Sequence, residues 1–390
     1  MNRDKIIDRI ETFKEWLVDI RRDFHMHPEL GMEEFRTMSQ ICKYLDEMGL
    51  SYKSGIANTG VVVDIPGADP SFTVALRADI DGLPILDLKC ENYSSKELGR
   101  CHACGHDVHT SILLGVAKFF SGETTPPYNV RLIFQPAEET TGGARPMIEA
   151  GVLKNVDVIF GLHVDDELNR GEIGIKYGAM IASSDTLKIS IKGKSCHGAY
   201  PSNGTDAIVI ASHVILALQT IVSRNIDARD SVVISLGTVN GGTQGNIVAN
   251  QVNIVGTLRT LHPDMRKKAL QRIEEIVTTL PIAFGGEGEF IREESYTSLI
   301  NHDLQVDIVK RSGIEILGEN KVIEKKKASM VAEDFAYFVE QIPGAFFYLG
   351  IQDRDRSTRV SLHNGNFDIE ENALIDGVAM QVKNIYNAKG

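Results

Sequence analysis

The sequence has little positive charge. Its 41 lysines and arginines are outnumbered by 53 aspartates and glutamates, which gives a formal net charge of -12 at pH 7. Basic runs are short, such as the three lysines at positions 325–327. Because nucleic acids and anionic membranes are bound through basic surfaces, we expect neither as a partner.

Cysteine is also scarce. The five cysteines are an odd number and lack the spacing of a small disulfide-rich domain, so a disulfide framework is not expected. The N-terminal residues are charged, unlike the apolar segment of a signal peptide. No apolar run approaches the roughly 20 residues that span a bilayer. We therefore expect a cytoplasmic protein with no transmembrane helix.

A chain of 390 residues exceeds the size at which single cores stop growing, about 250–300 residues, and suggests two domains. Its first half alternates apolar runs with amphipathic stretches, which predicts an α/β fold with a mixed sheet between helices. The predicted strands are residues 61–65, 72–76, 130–134 and 156–162, and the predicted helices are residues 4–25, 33–48 and 110–120.

The order of predicted strands and helices changes at about residue 183. From there to residue 294 the pattern reads strand, helix, strand, strand, helix, strand, at 186–191, 206–225, 232–239, 251–260, 264–279 and 289–294. This order is typical of a ferredoxin-like four-stranded sheet with two helices on one side. After residue 295 the α/β pattern returns, with a strand at 345–349 and a closing helix at 372–387. We therefore predict a larger domain in two parts, residues 1–182 and 295–390, with residues 183–294 inserted as a small domain.

The most informative stretch is residues 99–109, GRCHACGHDVH, which contains two thiols, three imidazoles and a carboxylate. Cysteine and histidine are the side chains that hold zinc-like ions, and a turn at Gly105 would let Cys104 and His106 converge on one centre. The alternative is a chance cluster on a surface loop, although the apolar run after His109 resembles a buried helix.

Further candidates follow strands at the carboxyl edge of the predicted sheet, where α/β enzymes place their sites. Glu138 and Glu139 follow the strand at 130–134, and one could ligate a metal while the other serves as general base. His163 ends the next strand, and His363 lies in a turn near the C-terminus. Each alone could be structural: a solvated acidic turn or a satisfied histidine. Together with Cys104 and His106, these donors are the right number for a paired-metal site with open positions.

Three other segments carry polar residues whose roles the sequence leaves open. Asp79 and Asp81 follow a buried strand, where a carboxylate could orient a metal-bound histidine or simply cap a turn. In the inserted segment, loops with His197 and Asn246 and a strand ending near Arg259 could hold a substrate's carbonyl and carboxylate. By composition they could equally be exposed loops and a surface arginine.

These segments resemble the M20 metallopeptidase-like family, in the branch of N-acyl-amino-acid amidohydrolases that includes hippurate hydrolases, N-acetyl-diaminopimelate deacetylases and auxin-conjugate hydrolases. The resemblance extends over nearly the whole chain. It is carried by HPELG (27–31), RADIDGLPI (77–85), HACGHDVHT (102–110), FQPAEE (134–139), GLHV (161–164), KGKSCHGAYP (192–201), GTLR (256–259), AEDFAYF (332–338) and LHN (362–364).

The resemblance implies that residues 1–182 and 295–390 form a catalytic domain and that residues 183–294 form a ferredoxin-like lid and dimerisation domain. The expected partners are a small-molecule N-acyl amino acid as substrate and a second copy of the chain, in a homodimer or higher oligomer formed through the lid. The resemblance also implies two divalent metal ions, with Mn, Zn, Co and Ni as candidates, and a hydrolytic attack by water on the amide carbonyl. The residues it implies for the site are Cys104, His106, Glu139, His163 and His363 as metal ligands, Glu138 as general base, Asp81 as the carboxylate that orients a ligand histidine, His197 as the group that polarises the carbonyl, and Asn246 and Arg259 as substrate contacts.

Some positions depart from the family pattern. Asp79 stands where related peptidases have a histidine ligand, which assigns direct ligation to Cys104 and His106. Cys101 stands where relatives usually have methionine, and it could be oxidised or compete for metal. The expected activity is hydrolysis of small N-acyl, first of all N-acetyl, amino acids. The alternatives are a dipeptidase of the same fold and a catalytically silent protein that binds metal or ligand.

Overall fold

The computed structural model describes residues 1–122, 124–353 and 359–389. The chain divides into two compact units, each with its own hydrophobic core. The first consists of Met1–Gly178, Ile300–Lys326 and Tyr337–Gly390, and the second of Ala179–Leu299 and Lys327–Ala336. The predicted insertion, residues 183–294, lies within the second unit, and the grouping of 327–336 with it was not expected. The division into functional domains stays a prediction.

The described residues form ten α-helices and fourteen strands. The helices are α1 (Arg3–Glu11), α2 (Lys14–Met26), α3 (Phe35–Glu47), α4 (His106–Phe120), α5 (Ala144–Glu149), α6 (Ala207–Thr220), α7 (Pro263–Ala283), α8 (Asp303–Leu317), α9 (Ala336–Gln341) and α10 (Ala373–Asn387). The strands are β1 (Tyr52–Ile56), β2 (Gly60–Ile65), β3 (Asp69–Asp79), β4 (Tyr128–Gln135), β5 (Val158–Asn169), β6 (Ile173–Ile175), β7 (Gly178–Ile181), β8 (Ser183–Lys192), β9 (Val232–Gly241), β10 (Gln251–Thr260), β11 (Glu287–Glu294), β12 (Leu299–Asn301), β13 (Val322–Glu324) and β14 (Gly344–Gln352).

An eight-stranded mixed sheet organises the first unit, in the order β1-β2-β4-β3-β5-β14-β6-β13. Its four central strands, β4, β3, β5 and β14, run parallel to one another. They are almost continuously buried, as expected for parallel strands covered on both faces. Because they are parallel, their carboxyl ends meet at one edge of the sheet. The predicted α/β class with a mixed sheet is therefore confirmed.

Helix α4 packs against three of these central strands, β3, β4 and β5, and against α2 and α10. Nearly every residue of α4 is buried, because its sequence is apolar all around the helix rather than on one stripe. The first turn of α4 is consequently fixed from several sides. This matters because that turn carries the predicted metal-binding histidine.

The second unit has the predicted order of elements. β8, α6, β9, β10, α7 and β11 follow one another, and the four strands pair antiparallel in the order β11-β8-β10-β9. Alternate residues of β8 face the core: Leu187, Ile189 and Ile191 are buried, whereas Lys188 and Lys192 are exposed. This period of two places the two helices on one face of the sheet.

Two predicted helices are corrected by the structure. Residues 4–25 form two helices instead of one, because the chain leaves the helical conformation at Phe13, where φ is -128°, and the hydroxyl of Thr12 bonds back to the carbonyl of Arg9 at 2.6 Å. Residues 206–225 form α6 followed by a wider turn, Ile221–Asn225.

The expectation that no apolar run approaches membrane-spanning length is also corrected. The helical segment Ala207–Asn225 is long and apolar enough to cross a bilayer by length and composition, and 33% of its most apolar window is buried within the protein. One face packs on the sheet of the second unit through residues such as Ile210 and Val214. The apolar character of the opposite face therefore needs a separate explanation.

Asp185 offers a test of how the second unit is held together. Its fully buried carboxylate accepts hydrogen bonds from Arg266 at 2.8 and 2.9 Å and from Arg292 at 2.7 Å. Replacing one partner of a buried ion pair leaves the others uncompensated, so Asp185→Ala should lower the free energy of unfolding by about 3–5 kcal/mol in urea titrations. Glu293→Ala, which breaks an exposed pair with Lys188, should cost at most about 1 kcal/mol. Equal effects would contradict this assignment.

Candidate metal centre

The loop that carries the cysteine and histidine cluster turns sharply just before α4. Gly105 has a φ of +82°, a left-handed conformation that favours glycine, and a Cβ added there would lie 2.5 Å from the Val164 side chain. Both constraints require glycine. The turn places Cys104 at the end of the loop and His106 as the first residue of α4, so this helix begins four residues before the predicted start at residue 110.

The five residues predicted as metal ligands lie together in the first unit. Their donor atoms form overlapping groups in which all atoms lie within 4.8 Å of one another: Cys104, His106 and His163 in one group, Cys104, Glu139 and His363 in another. Cys104 belongs to both groups, and its Sγ lies 3.3 Å from Nε2 of His163. Thiolate, imidazole and carboxylate groups at such distances are typical ligands of a transition-metal site.

Backbone hydrogen bonds orient two of these histidines. Nδ1 of His163 donates to the carbonyl of Val164 at 2.7 Å, which directs Nε2 into the cluster. His363 has a positive φ of +59°, and its backbone N–H donates to the carbonyl of Ala103 at 2.8 Å. Its Nε2 lies 3.2 Å from Oε1 of Glu139. His163 is thus held through Nδ1 and His363 through its backbone N–H, and the Nε2 atoms of both face the cluster.

Asp81 connects the ligand helix with the loop after β4. Its Oδ1 lies 3.1 Å from Nδ1 of His106, and its Oδ2 accepts the backbone N–H of Glu139 at 3.0 Å. A carboxylate on one nitrogen of an imidazole fixes the tautomer and the ring orientation, so that the other nitrogen can coordinate a metal. This geometry is the one that the predicted orienting role of Asp81 requires.

The nitrogen of His106 that faces the cluster tests whether a metal fits. Its Nε2 is buried and has no hydrogen-bond partner among the described residues. Carboxylate oxygens of Asp79 and Glu139 lie 3.7 and 4.0 Å away, beyond hydrogen-bonding distance. Buried polar atoms are normally satisfied, and a coordinated cation would satisfy this one. The donor set therefore fits a divalent metal ion.

The electrostatics of the cluster point the same way. Burial lowers the pKa of His106, but nearby carboxylates, Asp79 foremost, outweigh burial and raise this pKa to about 10. Burial, reinforced by the negative charge of Glu139, raises the pKa of the Cys104 thiol well above its usual value. The carboxylate contributions to both shifts reflect a negative potential that favours bound positive charge, although burial is the larger cause for Cys104. A divalent cation competes with protons for these same lone pairs and would deprotonate the thiol.

Asp79 and His109 form a buried hydrogen-bond chain beside the cluster. Oδ1 of Asp79 lies 2.5 Å from Nδ1 of His109, and Nε2 of His109 accepts the backbone N–H of Val164 at 3.0 Å. Burial lowers the pKa of His109 to about 4, which keeps the ring neutral. Both of its nitrogens are used, so His109 has no lone pair left for a metal, and it supports β5 next to His163. The prediction that His163 ends its strand is wrong, because β5 continues to Asn169 in pairing with β14.

Arg77 is a residue of this region whose role the sequence analysis missed. Its fully buried guanidinium donates to Asp79 at 2.7 Å and to the side-chain oxygen of Gln135 at 2.8 Å, which joins the ends of β3 and β4. A signal was present. Residues two apart on a strand share a face, and a buried arginine needs an anionic partner, so Arg77 followed by Asp79 predicts this pair.

Glu138 is buried, and one of its oxygens lies within 4.8 Å of a His106 nitrogen and a Glu139 oxygen. It follows Ala137, whose φ of +57° is unusual for a residue with a side chain. The loop after β4 therefore directs two adjacent carboxylates to the same cluster, as the sequence pattern predicted.

Cys101 lies in a different group from Cys104. Its Sγ lies with His25 and Asp87, and burial raises its pKa to about 12. Nδ1 of His25 lies 2.7 Å from Asp107, and its Nε2 lies 2.7 Å from the ammonium of Lys89. A cation already occupies this second group, so the structure gives no support to Cys101 as a competing ligand.

His197, Asn246 and Arg259 lie in the second unit. The loops of the first two meet: the backbone N–H of Gly198 donates to the carbonyl of Asn246 at 2.8 Å. Nδ1 of His197 accepts the N–H of Ala199 at 3.1 Å, so its proton resides on Nε2. Arg259 lies on β10, and burial lowers its pKa. The roles of these three residues stay predictions.

Comparison with known proteins identifies the family. Residues 75–387 match peptidase family M20/M25/M40. The IAA-amino acid hydrolase ILR1-like 5 of Arabidopsis thaliana is 38% identical over 375 residues, which are 95% of this chain and 86% of that protein. The N-acetyl-L-cysteine deacetylase of Bacillus subtilis is 38% identical over 367 residues, which are 94% of this chain and 86% of that protein.

A solved structure extends the match to three dimensions. The YXEP protein of Bacillus subtilis, described as a dinuclear metal-binding peptidase from the M20 family, superposes with a TM-score of 0.84 and 32% identity over 96% of this chain and 98% of its own. The resemblance found in the sequence is confirmed along both units. This chain belongs to peptidase family M20/M25/M40 and is a metal-dependent hydrolase of that family.

Proposed function

We propose that this protein is an amidohydrolase that cleaves the amide bond of small N-acyl amino acids to a free amino acid and a carboxylic acid. The observation that carries the proposal is the buried cluster in which Cys104 is shared by two groups of metal donors, with Glu138 beside it. The names of two relatives, an N-acetyl-L-cysteine deacetylase and an IAA-amino acid hydrolase, support this class of substrate.

The five clustered donors would hold two divalent metal ions. Thiolate and imidazole favour zinc, cobalt or nickel, whereas carboxylate and water also suit manganese, so these four metals are the candidates. When bound, the ions supply Lewis-acid polarisation of the substrate carbonyl and make water a stronger acid. The proposed ligands are Cys104, His106, Glu139, His163 and His363.

Glu138 is the proposed general base. Its carboxylate would accept a proton from the attacking water and then donate it to the nitrogen of the departing amine. Its buried position beside Glu139 suits this role, because a carboxylate held away from bulk water exchanges its proton with the substrate rather than with solvent. Asp81 keeps His106 and the backbone N–H of Glu139 in place during both transfers.

The exposed Nε2–H of His197 is suited to donate a hydrogen bond to the scissile carbonyl as negative charge develops on its oxygen. Asn246 and Arg259 are the proposed contacts of the substrate carboxylate, since a guanidinium binds a carboxylate through two parallel hydrogen bonds. Free cysteines throughout the chain suit the reducing cytoplasm, where we place the enzyme.

The second unit is the proposed dimerisation surface. Helix α6 exposes an apolar face, with Ile208, Val209 and Leu216 at 51, 47 and 68% exposure. In the same unit, β9 lies at an edge of the four-stranded sheet, where it pairs with β10. An apolar helix face next to an open strand edge fits a second copy of the same chain, because both features need a partner.

The metal assignment predicts different outcomes for two neighbouring cysteines. Cys104→Ser should lose at least half of the bound metal, because it removes the donor shared by both groups. Cys101→Ala should retain its metal, because that thiol lies in the separate group around His25. Elemental analysis of folded, reconstituted proteins measures the difference. An unchanged metal content in Cys104→Ser would exclude this cysteine from the ligand set.

The proposed reaction is tested by a substrate panel after reconstitution with Mn, Co, Zn or Ni. N-acetyl, longer acyl and aromatic acyl amino acids should be hydrolysed in preference to dipeptides. Glu138→Gln preserves the size of the side chain but cannot accept a proton, so kcat should fall by about 10²–10⁴-fold while metal content is retained. Faster dipeptide hydrolysis would make the protein a dipeptidase, and no turnover with any metal would make it a binding protein.

The assembly is tested with a charge on the exposed face of α6. Leu216→Glu should convert a dimer into a monomer in light scattering coupled to gel filtration. Leu304→Glu serves as the control, because Leu304 is exposed to 74% on α8 of the first unit, and it should leave the dimer intact. A monomeric wild type that floats with liposomes would instead assign the apolar helix face to a membrane.

A further inference from the structure

The segment between α2 and α3 has no assigned role in the proposed reaction, although its HPELG motif is part of the family resemblance. This brace segment, residues 27–34, contacts the two loops that carry site residues. The backbone N–H of Gly82, next to Asp81, donates to the carbonyl of Glu29 at 2.7 Å. The other contact is made by Glu34, whose side chain is fully buried.

Glu34 bonds directly to the loop that carries the proposed base. Its Oε1 accepts the backbone N–H of Ala137 at 2.8 Å, and its Oε2 accepts the hydroxyl of Thr59 at 2.6 Å. Ala137 immediately precedes Glu138 and has a φ of +57°. A residue with a side chain stays in this left-handed conformation only when its surroundings enforce it, and the bond to Glu34 is a specific contact that does so.

A second contact reaches the same loop from the brace segment. A Cβ added to Gly31 would lie 2.3 Å from Oγ1 of Thr140 and 2.9 Å from Cα of Ala137. The brace segment therefore packs backbone to backbone against the loop and leaves no room for a side chain. A further hydrogen bond holds the brace segment in place: the side-chain amide of Asn58 donates to the carbonyl of Met32 at 2.7 Å.

We propose that Glu34 is a positioning residue that holds the backbone at Ala137 in its left-handed conformation and so aims Glu138 at the reacting water. The proposal rests on the proposed function, because it requires Glu138 to act as base. Glu34 itself touches no donor of the metal cluster: it acts through the backbone of residue 137. Without it, the N–H of Ala137 would lose its acceptor, and the loop would relax to a more ordinary φ that turns Glu138 away.

The test compares Glu34→Leu with Glu34→Gln in the full-length, metal-reconstituted enzyme. Leucine cannot accept the N–H of Ala137, so kcat should fall by about 10–100-fold, the loss expected for a displacement near 1 Å, while KM and metal content stay within about twofold. Glutamine should retain at least a third of kcat, because its amide oxygen accepts the N–H of Ala137 and its NH₂ donates to Thr59, whose hydroxyl can reverse its role.

Two further variants separate positioning from stability. Thr59→Val removes the other hydrogen bond of Glu34 but leaves the one to Ala137, so its kcat should stay within about threefold of wild type. Gly31→Ala keeps Glu34 but pushes on Ala137, so it should lower kcat as Glu34→Leu does, again with unchanged metal content. Gly31→Ala and Glu34→Gln decide the question if Glu34→Leu does not fold.

Wild-type kcat in Glu34→Leu or Gly31→Ala, or a loss in Thr59→Val as large as that in Glu34→Leu, would overturn the positioning role. So would a Glu34→Gln enzyme as slow as Glu34→Leu. Failure of the proposed function is recognised separately, because Glu138→Gln would then keep its activity. An inactive Glu138→Gln together with a fully active Glu34→Leu would leave the function standing and reject the positioning role alone.

Discussion

The bonds of one buried carboxylate, Asp81, hold the metal centre together. It contacts Nδ1 of His106 on α4 and the backbone N–H of Glu139 on the loop after β4. Two segments that are distant in sequence are thereby joined at the carboxyl edge of the parallel strands. Because both contacts use atoms other than the donor atoms, the ring and the carboxylate remain turned toward Cys104. The positions of the donor atoms are therefore set by hydrogen bonds within the protein. Metal sites are commonly built in this way, because hydrogen bonds to the ligands fix their orientation.

A second carboxylate, Asp79, is the last residue of β3 and lies two positions before Asp81, but it has different partners. Asp79 lies between the guanidinium of Arg77 and the ring of His109. Its charge therefore interacts with residues that support the site. Asp81 instead contacts His106 and the backbone N–H of Glu139, both in the cluster. Two chemically identical side chains, two positions apart in sequence, thus differ in role because their partners differ.

The sequence predicted the fold to the extent that local patterns determine it. The strand at 251–260 was predicted with the bounds that the structure shows, because buried and more exposed residues alternate over most of its length. The start of α4 was missed, because His106 and His109 look like loop ligands until tertiary burial places them on a helix. The donors and a shared metal site were predicted from residue types, the expected sheet edge and the family resemblance. The residues alone could not establish that the donors converge, because convergence depends on contacts such as Gly105 against Val164 that join residues far apart in sequence.

The N-terminal part of the chain shows why such a site is a property of the whole first unit. Helix α2 supplies His25, which bonds to Asp107 in the first turn of the ligand helix. Glu34, a few residues later, bonds to Ala137 in the loop of the proposed base. Neither His25 nor Glu34 offers an atom to the metal cluster. An isolated metal loop of residues 99–109 would lack both contacts, so the cysteine and histidine motif acquires its chemistry only when the N-terminal helices have packed against it.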